Sequence, residues 1–117
     1  MNIKELPLLF TVRARVEIGA LAGHSMQDFY NELSKGNEDK AIDLTIKAYE
    51  VMHNCYLRSK ALEDGKEFEP VSLNKDEFLD LTAYEWNEIE SRIVETIQKD
   101  SGIEVETTSK KKEEKQN

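Results

Sequence analysis

The chain has one cysteine, two prolines, five scattered glycines and no long apolar run. Each shortage removes a class of protein. A single thiol, Cys55, cannot form an intrachain disulfide and suits a reducing cytoplasm. Few prolines and glycines leave little to interrupt helices. No stretch approaches the roughly 18 apolar residues of a membrane span. The start, Met1 to Pro7 (MNIKELP), lacks the basic-then-apolar layout of a secretory signal. The glycines form no phosphate-cradling loop. His24 stands alone, and His53 lies two residues before Cys55, a spacing that points the pair apart on a helix. That leaves neither the convergent ligands of a zinc site nor a Cys–His nucleophile. Nothing calls for a cofactor or a metal, and the chain reads as a non-enzyme.

Charge is plentiful, and it is unevenly placed. Residues 1–60 hold eight acids and eight bases, and residues 103–117 hold four of each. Residues 61–102 hold twelve acids against four bases, so the whole net charge of -8 falls there. Such a surface repels nucleic-acid phosphates and argues against DNA or RNA binding. It serves solubility, or attracts a basic protein. Paired catalytic acids need a cleft that separates their pKa values, and Glu85, Glu88 and their neighbours read as a solvated face. With 117 residues the chain fits one domain with a small core.

The apolar spacing is helical. Thr11 caps a first helix, Val12 to about Ala22, with Gly23 at its left-handed end. Val12, Val16 and Ala20 share one stripe of it, while Arg13 and Glu17 sit i,i+4 on another. Ser25 to Asp28 resembles a capping box for a short helix carrying Met26, Phe29, Tyr30 and Leu33. Asn37 caps a long central helix reaching about Leu62, with two adjoining apolar stripes. Residues 63–71 form a loop, Asn74 to Glu77 a capping box for a short helix, and Thr82 to Glu85 another for a last one. The last helix buries Trp86, Ile89, Ile93 and Ile97 and ends near Asp100. The fold class is mainly α: a small bundle of about five helices over residues 1–102, with at most one short β element near residues 2–10. Residues 103–117 have almost no apolar content and form a disordered tail.

Two features remain for binding. The tyrosines and the tryptophan pack a core more readily than they form a binding face. Arg13 and Arg15 stand in the first turns of a helix, against its dipole, so local helix physics does not account for them. One can pair with Glu17 and the other can anchor the acidic second half, which is the plainer use; together with Phe10 they are also the candidate partner-binding residues.

The stretch Leu8 to Ile18 (LLFTVRARVEI) resembles the N-terminal block of tail assembly chaperones from long-tailed, siphovirus-type bacteriophages and prophages. In that family a short extended segment leads into a Phe-Thr-x-Arg-Ala helix. Ser72 to Leu81 (SLNKDEFLDL) and the final amphipathic helix follow the family's order, so the likeness spans about residues 3–100. It departs at Met1–Leu6, where family members often carry a longer strand-turn-strand segment. The resemblance implies a non-catalytic protein of the host cytoplasm, needed for tail assembly but absent from the virion. It implies binding to the tape-measure protein and to tail-tube subunits, and allows a homo-oligomer. It also implies a second, longer product made by frameshifting, for which the codons of Lys110 to Lys112 are a plausible slip site. Two other classes stand beside it: an acidic, DNA-mimicking inhibitor of a nucleic-acid-binding protein, and a small-molecule enzyme on a helical scaffold. Salt-sensitive binding marks the first, and a pocket with convergent polar groups marks the second.

Overall fold

A computed structural model describes residues 2–102. The tail assigned to 103–117 and the lysine run within it lie outside the described residues. The elements are a 3-10 turn, Ile3–Glu5, then α1, Val12–Ala22; α2, Met26–Leu33; α3, Glu38–Glu63; α4, Lys75–Leu79; and α5, Ala83–Asp100. The protein is mainly α, as its periodicity implies. None of the described helices is long and apolar enough to cross a membrane.

Local chemistry sets the helix starts. Thr11 accepts the Ala14 N–H, Ser25 and Asp28 form a reciprocal capping box, and so do Thr82 and Glu85. Asn37 accepts the Lys40 N–H. Asn74 caps α4 through the Asp76 N–H rather than through a box with Glu77. Gly23 ends α1 at φ 158° and ψ -101°, a region open to glycine but not the left-handed helical one. A Cβ there would meet the Asp28 carboxylate at 2.7 Å, the same carboxylate that caps α2.

α3 is the centre. At 26 residues it is about 39 Å long, and it buries Leu44, Ile46, Ala48, Tyr49, Met52 and Cys55. Ile89, Ile93 and Ile97 of α5 enter the same core, as do Ile18 and Phe29. Phe78 of α4 stacks edge-on between Tyr49 and Trp86, with ring centroids 5.8 and 6.3 Å away.

The periodicity of α1 does not say which of its faces is inside. The stripe of Val12, Val16 and Ala20 faces solvent, with Val12 71% and Val16 63% exposed. The buried side is Ala14, Ile18 and Gly19. Small residues let backbones approach closely, and a Cβ on Gly19 would sit 2.8 Å from the Ser25 carbonyl carbon. The tight α1–α2 corner therefore requires glycine there and fixes which face of α1 is inside.

The short β element allowed near residues 2–10 does not form, and a 3-10 turn and an extended arm stand there. No strand is present among the described residues. The arm's backbone groups are taken by helix side chains instead of by a neighbouring strand. Arg92 donates to the carbonyls of Lys4 and Leu6 and to the Tyr49 hydroxyl, and Tyr49 donates to the Ile3 carbonyl. His53 Nδ1 lies 2.9 Å from the Pro7 carbonyl, a position that requires the proton on that nitrogen. The Leu9 N–H reaches the Met52 carbonyl, and the Phe10 N–H reaches the Asp100 carboxylate at 2.9 Å. With its backbone satisfied this way, the arm buries Ile3, Leu6 and Phe10.

Candidate functional site

Three helices approach one another without closing. α2 presents Phe29, Tyr30 and Leu33; α3 presents Thr45 and Ala48; α5 presents Glu90, Ile93, Val94 and Ile97. Between them lies a groove of about 240 Å³. Its floor is low because Ala48 is small, and Ala48 is fully buried. Its rims are Tyr30, 41% exposed, and Val94, 50% exposed. Partial burial pushes the Tyr30 phenol above its usual pKa. Phe29 and Tyr30 stack edge to face at 5.8 Å, which fixes that wall.

Ion pairs hold α2 in place beside the groove. Glu32 meets Lys35 at 2.6 Å and Lys40, on α3, at 2.8 Å. Hydrogen bonds from these two lysines lower the Glu32 pKa to about 2. α2 is thus tied across the α2–α3 corner while its apolar edge stays open.

The groove suits a protein side chain better than a free ligand. Small-molecule pockets run to roughly 300–1,000 Å³ with a few precisely convergent polar groups. Here the volume is smaller, and the polar lining is Tyr30, Thr45 and Glu90, with no nucleophile–base pair among them. Among the described residues no three His, Cys, Asp or Glu side chains converge on a metal-sized position.

A second, wider cleft of about 730 Å³ runs along the other edge of α5, where Tyr84, Glu88 and Glu95 face Glu5. Its two cations are committed. Lys4 meets Glu85 at 3.0 Å, and Arg92 donates to the arm. The Glu85 pKa is lowered, first by the Thr82 backbone N–H and then by Lys4. Glu5, Glu88 and Glu95 make no ion pair among the described residues, so the cleft is acidic.

The three residues singled out from the sequence part company. Phe10 is buried in the core. Arg13 is exposed and meets Glu17 at 3.3 Å. Arg15 is exposed and lines a small hollow of about 150 Å³ with Phe10, Thr11, Val12, Asp100 and Ser101. Arg15 makes no ion pair among the described residues. Sequence reasoning found the apolar edge of α2 but missed Ala48 and Val94 as groove residues. Val94 is adjacent to Ile93, and helical periodicity alone does not put two consecutive residues on one gap.

The chain matches no protein-family model, no curated protein and no solved structure.

Proposed function

We propose that this protein is a non-catalytic assembly chaperone of the phage-tail type, which shields an apolar helix of its client, the tape-measure protein, and engages tail-tube subunits. The observation that carries the reading is the open α2/α3/α5 groove, lined mainly by apolar side chains and smaller than most small-molecule pockets. Helical grooves of this kind accept the apolar edge of an amphipathic helix, read as residues at i, i+3 or i+4, and i+7. A long helical client would aggregate with that edge bare. A removable cover needs an interface of mixed polarity, and this one sets Tyr30, Thr45 and Glu90 among Phe29, Leu33, Ile93 and Val94. The resemblance of Leu8 to Ile18 to the family's first helix points the same way.

The test is co-expression of the tagged chain with tape-measure fragments and with tube protein from a siphovirus whose chaperone shares the Phe-Thr-x-Arg-Ala block. Co-purification of the wild-type chain, lost in Val94→Glu, supports the reading. Failure of both clients to co-purify overturns it.

The acidic cleft on α5 favours a second reading, a protein that mimics nucleic acid. Its contacts would be mainly ionic, so its binding to a basic partner would collapse as salt rises, whereas groove binding would change little.

A further inference from the structure

We propose that the exposed edge of α1 is a docking surface for residues 103–106 of the same chain, Ile103-Glu-Val-Glu106, laid along it in extended form. Val12 and Val16 stand one turn apart on that edge, Ala20 continues it, and all three are exposed. Isolated exposed valines are ordinary, but an i,i+4 pair continued by an alanine makes an apolar edge, and nothing among the described residues covers it.

Two observations name the occupant. The first is where the described chain leads. α5 ends beside the start of α1: Asp100 accepts the Phe10 N–H at 2.9 Å, and Asp100 and Ser101 line one hollow with Val12 and Arg15. Gly102, at φ 80°, takes the left-handed conformation that turns a chain off the end of a helix. Ile103 follows, within about 7 Å of Ser101 along an extended chain, so residues 103–106 begin at the Val12 end of the edge.

The second is what those residues are. Ile103 and Val105 are the only apolar residues of 103–117, and they alternate with Glu104 and Glu106. A period of two puts the apolar pair on one side of an extended segment and both acids on the other. The pair is spaced about 6.6 Å along such a segment. Val12 and Val16 are spaced about 6 Å along α1, so Ile103 meets Val12 while Val105 meets Val16.

Charge completes the match. Arg13 and Arg15 flank the valine edge; Arg15 makes no ion pair among the described residues, and the Arg13–Glu17 pair is exposed. Arginine stems lie along apolar surface and carry their guanidinium groups past it, here to the two acids. α1 has no acid in its own first turn, so Glu104 also faces the positive end of its dipole. Arginines that local helix physics leaves unexplained thus gain partners in their own molecule, and the contact does not weaken on dilution.

A nitroxide attached to the full chain through Thr107→Cys tests this by paramagnetic broadening of amide signals; the native Cys55 is buried and stays unlabelled. The expected result is strong broadening along Val12 to Ala20. Val16→Glu and Val105→Glu, each in the labelled chain, should cut it about threefold, with the amides of α3 and α5 unmoved as the check on folding. Arg15→Glu should cut it less, and Arg15→Glu combined with Glu104→Arg should recover it. Broadening of α1 that is the same in Val16→Glu as in wild type overturns the proposal, since proximity to Gly102 alone then explains it. So does broadening centred on Glu88 and Glu95, which would place the lysines of 110–112 on the acidic cleft instead. A third control mixes isotope-labelled chain without nitroxide and nitroxide-labelled chain without isotope. Broadening of α1 in that mixture shows a second copy on the edge and also overturns the proposal. No client is present, so the outcome is separate from the co-purification test above.

Discussion

Residues 2–11 and residues 64–74 both lack regular helix over most of their length, and both lie along α3 on different faces. The first follows Tyr49, Met52, His53 and Cys55; the second follows Glu50, Asn54 and Arg58, which the four-residue spacing places on one stripe. The arm is held by buried groups and adds Ile3, Leu6 and Phe10 to the core. The loop is held by polar side chains nearer the surface. Asn54 clamps Val71 through both its amide atoms at 2.7 and 2.9 Å, Glu50 accepts the Leu73 N–H at 2.7 Å, and the Arg58 guanidinium lies 4.3 Å from the centre of the Phe68 ring. One helix thus fixes two irregular segments by different physics. Detaching the arm opens the core, whereas detaching the loop exposes little apolar surface. The arm should therefore unfold with the whole protein and the loop on its own.

Arg92 is the strongest place to break this contrast. Arg92→Ala leaves the Lys4 and Leu6 carbonyls and the Tyr49 hydroxyl without their shared donor. The expected loss is about 3 kcal/mol of global stability, read by urea unfolding. A loss confined to the arm, with the core transition unmoved, would show the arm to be peripheral. Tyr49→Phe is milder. It keeps the ring against Phe78 and removes a hydroxyl that donates to the Ile3 carbonyl and accepts from Arg92 and the Leu6 N–H. Burial raises the Tyr49 pKa, partly opposed by Arg92, so the hydroxyl stays protonated through the neutral range. About 2 kcal/mol should be lost, again globally.

Asn54→Ala probes the other segment. Two hydrogen bonds to Val71 disappear, at a cost of about 1 kcal/mol. Hydrogen exchange should speed up across 66–74 while the arm amides of Leu6, Leu9 and Phe10 keep their protection. Equal acceleration in both segments would mean that they form one cooperative unit.

The contrast also explains what the sequence shows and what it hides. Thr11, Ser25, Asn37 and Thr82 announce their helices because a cap acts within about three residues. The arm's anchors are remote: Tyr49 is 46 residues from Ile3, and Arg92 is 88 from Lys4. No local pattern carries such pairings, so an apolar run after a polar start reads as a strand. The face of α1 was hidden for a related reason. Its valines look like a core stripe, but Gly19 and Ala14 decide the packing because their neighbours need the space. The groove was half legible, its two walls being apolar stripes on α2 and α5. That the walls stop short of each other follows from three helices packing together, not from either stripe.

Acid offers the finest test of the comparison, because each segment ends in the same device. Lys4 meets Glu85 at 3.0 Å at the arm, and Lys75 meets Asp43 at 2.7 Å where the loop enters α4. Both carboxylates lie below their ordinary values of 4.5 and 3.8. Glu85 is lowered first by the Thr82 N–H and then by Lys4; Asp43 is lowered by Lys75. A depressed carboxylate stabilises the fold fully above its unfolded pKa and loses that contribution as pH falls through the folded one. Both pairs should therefore fade only as pH falls below the ordinary carboxylate values, and both are exposed enough for the energetic effect to be small. The consequences should still differ. When Asp43 is protonated, Lys75 keeps only its longer contact with Asp39 at 3.6 Å, and exchange across 66–75, corrected for intrinsic rate, should rise. When Glu85 is protonated, Arg92, Tyr49 and His53 still hold the arm, so the Leu6 and Leu9 amides, whose acceptors are the Tyr49 hydroxyl and the Met52 carbonyl, should not respond. Lys75→Met should weaken the acid response of the loop, leaving the part carried by the Glu50 carboxylate on the Leu73 N–H, and Lys4→Met should change little. An arm that loosens in acid as readily as the loop would mean that its buried anchors depend on the surface pair, and the distinction between the two segments would fail.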